Sequence, residues 1–421
     1  MKGKILILQH DLFGNTDANS KLVFRICYQL RDMGYEVTVL GVACRRKEFV
    51  RMYNGIRFIH EPVVRAAEIY QLTERLGRWK WLRYLFSWRA RSYRLNSEHL
   101  EPFILEMRRW LKHHASEFDA LIACCSPYYP LLLASEVADK IPVIYYKIDP
   151  VGSWYDKSSK EACLSTIENE MKWDNAATKI IMPDVVYRTF MDAPTMVNGH
   201  KAVVAQFPNV RQIVPLQTPC KVVEQFDKTK INLLFVGKFY AKIRHPQYLF
   251  DLMEQLRDTN IVLHIVGPLY YMGFDQVYKE KYFTNTIPNI RFYDSVPPEE
   301  ADDILLYADA LVHVGNSIDT AMPSKILDYI SSGKPILNLC KIRTCPTLPL
   351  MERYPLGMTL FEDEPLSEEK VQSVKEFCKA NKGKQAPYAE IEKLYPECTI
   401  EYVGKQFDDT IQEAISEFKK K

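Results

Sequence analysis

No two of the sixteen glycines in this 421-residue chain stand two positions apart. The Gly-x-Gly-x-x-Gly turn that cradles a dinucleotide pyrophosphate is therefore missing, which disfavours a nicotinamide-dependent dehydrogenase. Each Gly-Lys pair (residues 3–4, 237–238, 333–334, 383–384 and 404–405) lacks a following Ser or Thr, so there is no P-loop. Neither a Gly-x-Ser-x-Gly elbow nor an Asp-x-Asp metal clamp occurs. The ten cysteines make no Cys-x-x-Cys pair and stand at no zinc-site spacing from histidine, so they read as reduced thiols and no metal is expected. Charge of one sign is also lacking: 55 Lys and Arg against 53 Asp and Glu leave +2, too little to neutralise the phosphates of a nucleic acid. No apolar run approaches the ~18 residues that span a bilayer. Met1-Lys2-Gly3-Lys4 leads into a strand-like run, not a signal-peptide apolar centre, so the expected location is the cytoplasm.

What is present is enough apolar material, 47% of residues, for two packed domains. Ile5-Leu6-Ile7-Leu8 is a continuous run of the kind a doubly covered parallel strand shows. Ser20 is placed to cap a helix in which Leu22, Val23, Ile26, Cys27, Leu30 and Met33 recur at helical spacing, and Val37–Leu40 resumes a strand. Further strands are expected at 120–124, 142–148, 179–182 and 202–206, with a helix over 97–115. Residues 211–230, with two prolines and no clean period, read as a linker. A second series follows, with strands expected at 231–236, 261–266, 290–293, 310–314 and 335–339 and helices at 246–257 and 298–307. Such alternation implies parallel sheets with right-handed crossovers. The expected architecture is α/β, two doubly wound Rossmann-like domains facing a cleft: 1–210, then 231–400, then a closing amphipathic helix within 401–421.

Two runs carry chemistry. The first is Met322-Pro323-Ser324-Lys325-Ile326-Leu327-Asp328-Tyr329-Ile330-Ser331-Ser332-Gly333-Lys334-Pro335. Pro323 and Ser324 set a helix start whose amides and dipole suit an anion, Lys325 adds a positive charge, and Asp328 falls on the face of Ser324, placed to accept from a ribose diol. An ordinary capped crossover helix with a solvated Asp328 is the competing reading. The second is Val236-Gly237-Lys238-Phe239-Tyr240-Ala241-Lys242-Ile243-Arg244, where Lys238 and Arg244 can converge on a leaving phosphate. A solvated basic loop is the alternative there.

These runs resemble the GT-B glycosyltransferases, in particular the retaining family-4 group, most specifically over residues 231–340. The resemblance implies diphosphate contacts at Gly237, Lys238 and Arg244, and a donor-binding helix at Pro323, Ser324 and Lys325 with Asp328 in the acidic ribose-binding place. It implies nucleobase-lining segments at Gly267 and at Ser295 and Val296, and a first-domain glycine loop at Gly14 and Asn15. Thr320 stands where the family's first acidic residue near the donor sugar belongs, and Asp319 is its neighbour. Asp149, after strand 142–148, resembles an Asp that orients or deprotonates the acceptor hydroxyl; a cap or loop-turn role is the alternative.

The reaction implied is transfer of a sugar from a nucleoside diphosphate sugar to a saccharide or lipid-linked acceptor, with configuration retained. Lys238, Arg244 and the helix start stabilise the charge that develops on the diphosphate, so no cofactor and no metal is expected. Residues 75–94 carry seven basic and six aromatic side chains and no acid. Arg78, Trp79, Lys80, Trp81, Arg83 and Trp88 in that stretch suit an anionic membrane surface, each cation contributing ~1 kcal/mol, or else form a packed helix pair. The expected partners are a nucleotide-sugar donor, an acceptor and that surface, without nucleic acid. A nucleotide-sugar epimerase, or a non-catalytic GT-B-like assembly partner, are the alternatives.

Overall fold

The structure, a computed structural model, describes residues 2–11, 18–42, 52–59, 101–125, 128–149, 167–192, 194–268, 273–283 and 287–420. Chain contacts divide it into two units, residues 1–208 with 400–421, and residues 209–399.

In the first unit, strands β1 (Gly3–Asp11), β2 (Tyr35–Val42), β3 (Met52–Tyr53), β4 (Ile56–Ile59), β5 (Ala120–Cys125), β6 (Val143–Lys147), β7 (Lys179–Met182) and β8 (Ala202–Val204) form one sheet. The order is β3-β4-β2-β1-β5-β6-β7-β8. All neighbours are parallel except β3 and β4. Ile5 to Leu8 are fully buried, as a strand covered on both faces requires. The first helix starts at Ala18, so Ser20 lies inside it, buried, and not at its cap; Leu22, Val23, Ile26, Cys27 and Leu30 face the core as their spacing predicts. The strand expected over 202–206 is only three residues long. The β3–β4 hairpin, not anticipated, turns at Asn54-Gly55, both at positive φ (47° and 77°), as a two-residue turn matched to strand twist demands. The closing helix, expected within 401–421, runs over Ile400–Lys419 and buries Val403, Phe407, Ile411 and Ala414 in this unit.

The second unit holds β9 (Ile231–Val236), β10 (Ile261–Val266), β11 (Ile290–Tyr293), β12 (Ala310–Val314), β13 (Ile336–Cys340) and β14 (Gly357–Phe361) in the order β11-β10-β9-β12-β13-β14. Every pairing is parallel. Five of these strands fall within a residue of their expected bounds, whereas β14 was not anticipated. The 298–307 helix resolves into Pro298–Asp303 followed by a 3-10 turn, Ile304–Tyr307. Residues 211–230 lie on this unit: Leu216 and Cys220 donate backbone N–H groups to the Asp303 carboxylate at 2.9 and 3.2 Å, and Lys221–Gln225 is a 3-10 turn.

Candidate functional site

Strand order reverses at β9, which lies between β10 and β12 although β10 and β11 run off to one side and β12 to β14 to the other. In doubly wound sheets ligands bind outside the carboxyl ends of the strands at such a point. Here β9 and β12 are in register only at Leu233 and Leu234, so the last residues of β9 have no strand beside them on that side. The gap is closed by Tyr329, on the helix Lys325–Ser332, whose hydroxyl accepts from the Val236 amide at 2.7 Å and reaches the Val236 carbonyl at 3.3 Å. That pair of bonds anchors the helix beside the switch point.

Gly237 and Gly267 directly follow β9 and β10, and a Cβ on Gly267 would lie 2.0 Å from the Gly237 carbonyl oxygen. Only a glycine lets these two strand ends approach so closely. Beyond Gly237 the chain folds back on itself through Tyr240 N–H to Arg244 O (3.2 Å) and Arg244 N–H to Tyr240 O (2.9 Å). The turn returns Arg244 to the switch point, where Nε donates to Asn316 Oδ1 at 2.9 Å and Nη1 to the Lys238 carbonyl at 3.3 Å. Both acceptors are uncharged. Burial lowers the Arg244 pKa, and the ionisable groups it senses are Tyr240, Tyr329 and Cys345, none of them a carboxylate. Arg244 is half-buried, and among the described residues neither of its acceptors supplies a counter-ion, so an anionic ligand would be a favourable partner for it. Lys238 is exposed, and its ammonium has no ion pair among the described residues.

The helix start behaves differently from expectation. Ser324 makes no side-chain cap, and the amides of Ile326 and Leu327 are already taken by the carbonyls of Pro323 and Ser324, both at 3.1 Å. Lys325 does not add a free positive charge either, because its ammonium stands 3.4 Å from Asp328 and 4.0 Å from Asp302. Asp328 is not solvated: it is buried and accepts from Arg211 Nη1 at 2.8 Å, while Nη2 of the same arginine binds Asp302. Two cations and two carboxylates thus cancel beside the helix start, while Arg244 and Lys238 have no carboxylate partner among the described residues.

The remaining positions are distributed as follows. Ser295 and Val296 are in the loop after β11, whose Tyr293 carbonyl accepts the Gly267 amide at 3.1 Å, so this loop adjoins the end of β10. Asp319 is exposed and Thr320 half-buried, in the loop between β12 and the helix. Asp149 belongs to the first unit, where it accepts from Asn19 Nδ2 at 2.8 Å. Gly14, Asn15 and residues 75–94, with Arg78, Trp79, Lys80, Trp81, Arg83 and Trp88, lie outside the described residues. Sequence reasoning missed Arg211, Asn316 and Asn19. Among the described residues no three His, Cys, Asp or Glu side chains are grouped as metal ligands, and no helix is long and apolar enough to cross a membrane.

Residues 219–339 match the model of the family described as glycosyl transferases group 1. No curated protein matches the sequence. Among solved structures the chain is similar to WaaG, a glycosyltransferase involved in lipopolysaccharide biosynthesis, at 15% identity and a TM-score of 0.57, covering 97% of this chain and 99% of that one. It is similar to HepE of Anabaena in complex with UDP-glucose at 12% identity and a TM-score of 0.60, over 98% and 100% of the two chains. Sucrose-phosphate synthase of Thermosynechococcus elongatus gives 10% identity and a TM-score of 0.64, over 98% and 100%. These likenesses show the GT-B fold, and the family match falls on the unit that carries Lys238, Arg244 and the helix of Asp328.

Proposed function

We propose that this chain, a glycosyltransferase of GT-B fold, moves a sugar from a nucleoside diphosphate sugar held by the second unit to a saccharide or lipid-linked acceptor, in polysaccharide or glycolipid assembly. The observation that carries the reading is Arg244, a guanidinium whose acceptors among the described residues are neutral, at a sheet switch point, with Lys238 six residues before it. The solved neighbours support the substrate class: HepE is described with UDP-glucose and with UDP and glucose, and WaaG with lipopolysaccharide biosynthesis.

In this reading the bond from the anomeric carbon to the diphosphate oxygen breaks as the acceptor oxygen forms its bond to the same carbon, and the acceptor proton passes to the departing phosphate. Arg244 and Lys238 stabilise the charge that gathers on the leaving group. One well-aimed donor of this kind contributes roughly 3 kcal/mol, about 10²-fold in rate. The cations take the place of a metal, so transfer proceeds in chelator. Asp149, oriented by Asn19, belongs to acceptor activation. Retention of configuration, a cytoplasmic location and contact of residues 75–94 with an anionic membrane complete the reading and rest on the sequence alone.

Calorimetric titration of the protein with UDP, GDP and ADP in EDTA tests it. One of these nucleotides binds the native protein, and Arg244→Ala weakens that binding by about 10²-fold. Equal affinity in the variant removes the diphosphate site from this position.

A further inference from the structure

Asn316 follows β12 and is completely buried, with an amide that has two partners of opposite character. Its Oδ1 accepts from Arg244 Nε and its Nδ2 donates to the Ala321 carbonyl, each at 2.9 Å. These partners fix which end of the amide is oxygen, since arginine only donates and a carbonyl only accepts. Arg244 arrives from the loop after β9 and Asn316 from the loop after β12, the two strands that part after Leu234. One side chain therefore bridges the opening at the switch point. The next residue repeats the connection: the Ser317 amide donates to the Ile243 carbonyl at 2.7 Å and its hydroxyl to the Lys242 carbonyl at 3.3 Å.

We propose that Asn316 is a positioning residue for the donor. It holds Arg244 in place without neutralising it, and ties it through Ala321 to the loop that carries Asp319 and Thr320, so that the arm that grips the diphosphate and the loop assigned to the sugar move as one piece. The inference rests on Arg244 being the diphosphate contact.

The residue type supports it. An aspartate at this position would accept the same N–H, but it would supply a counter-ion that Arg244 does not have among the described residues, and its second oxygen would face the Ala321 carbonyl with no proton between them. The amide satisfies both neighbours and leaves the positive charge for a ligand. A residue that served only to brace the fold would gain from the charged acceptor on the arginine side; one that serves binding would lose by it.

The test compares native protein, Arg244→Ala, Asn316→Ala, Asn316→Asp and the double variant Arg244→Ala/Asn316→Ala by calorimetric titration with UDP, GDP and ADP, with ligand-free melting as the folding control. Loss of the hydrogen-bonded amide weakens nucleotide binding about tenfold in Asn316→Ala, and the charged acceptor weakens it further in Asn316→Asp. Removing Asn316 costs nothing more once Arg244 is gone, because it acts through that residue. Losses that add independently, or an Asn316→Asp protein that binds like native, overturn the role of Asn316 and leave Arg244 in place. Native affinity in Arg244→Ala, or no binding of any of the three nucleotides by the native protein, overturns the donor site itself and this inference with it. Asn316→Asp conserves volume and the Arg244 bond, so it keeps the proposal open to refutation if Asn316→Ala fails to fold.

Discussion

Arg211 and Arg244 are two arginines of the same unit with opposite surroundings. Arg211 is clasped by Asp302 and Asp328 and its pKa is raised by them against the cost of burial; Arg244 has an amide and a carbonyl, and its pKa is lowered. The first arrangement pairs its charges; the second leaves the guanidinium on neutral acceptors, which suits the diphosphate contact proposed for it. Asp328 therefore has a structural duty that a ribose contact alone would not give it. Asp328→Ala leaves Arg211 short of a partner in a half-buried site and lowers the stability of the second unit by about 1–3 kcal/mol, the usual cost of unpairing a partly buried charged hydrogen bond. Urea denaturation without nucleotide measures this separately from any loss of nucleotide affinity. An unchanged midpoint would mean that Arg211 is adequately held by Asp302.

At the scale of elements, the glycines that follow β9 and β10 set how near the two strand ends come to each other. Gly267→Ala places a methyl group 2.0 Å from the Gly237 carbonyl, so the strand ends must separate. The expected result is a loss of about 1–3 kcal/mol, as for other overpacked sites, and weakened nucleotide binding with Lys238 displaced; a variant that melts and binds as native shows that the two ends are free to move apart. The sequence disclosed Gly237, Lys238 and Arg244 because they share one short loop after an unmistakable apolar strand. It also disclosed the helix after β12, but misjudged its charge, since what cancels Lys325 comes from Asp302 and Arg211, and Arg211 reaches Asp328 across 117 positions. Asn316 lies 72 residues from Arg244 and no local pattern joins them. The β3–β4 hairpin went unread because Asn54-Gly55 is its one local signal and its strands are too short to show a period. Strand β14, with mixed burial at the edge of its sheet, lacks the apolar run that announced the others.

For the molecule as a whole, the chain completes the second unit at Thr399 and spends its last helix on the first. The helix Ile400–Lys419 covers the first sheet: Phe407 is fully buried with its ring edge-on to Tyr146 of β6 at 5.0 Å, Gly404 lies against Gln29, and Asp408 binds Lys2 at 2.7 Å and Tyr35 at 2.6 Å. The first unit is thus built from both ends of the sequence, and its closing helix bonds to residues from 202 to 406 positions away in the chain. Phe407→Ala removes one large buried ring from that unit alone and should cost about 3–5 kcal/mol there. Calorimetric scans distinguish the units by the nucleotide, which raises only the transition of the unit that binds it. The variant is expected to lower the nucleotide-insensitive transition and to leave nucleotide affinity as in the native protein. If both transitions fall together, or if affinity is lost, the two units unfold as one cooperative body and the closing helix supports the donor site as well as the sheet it covers.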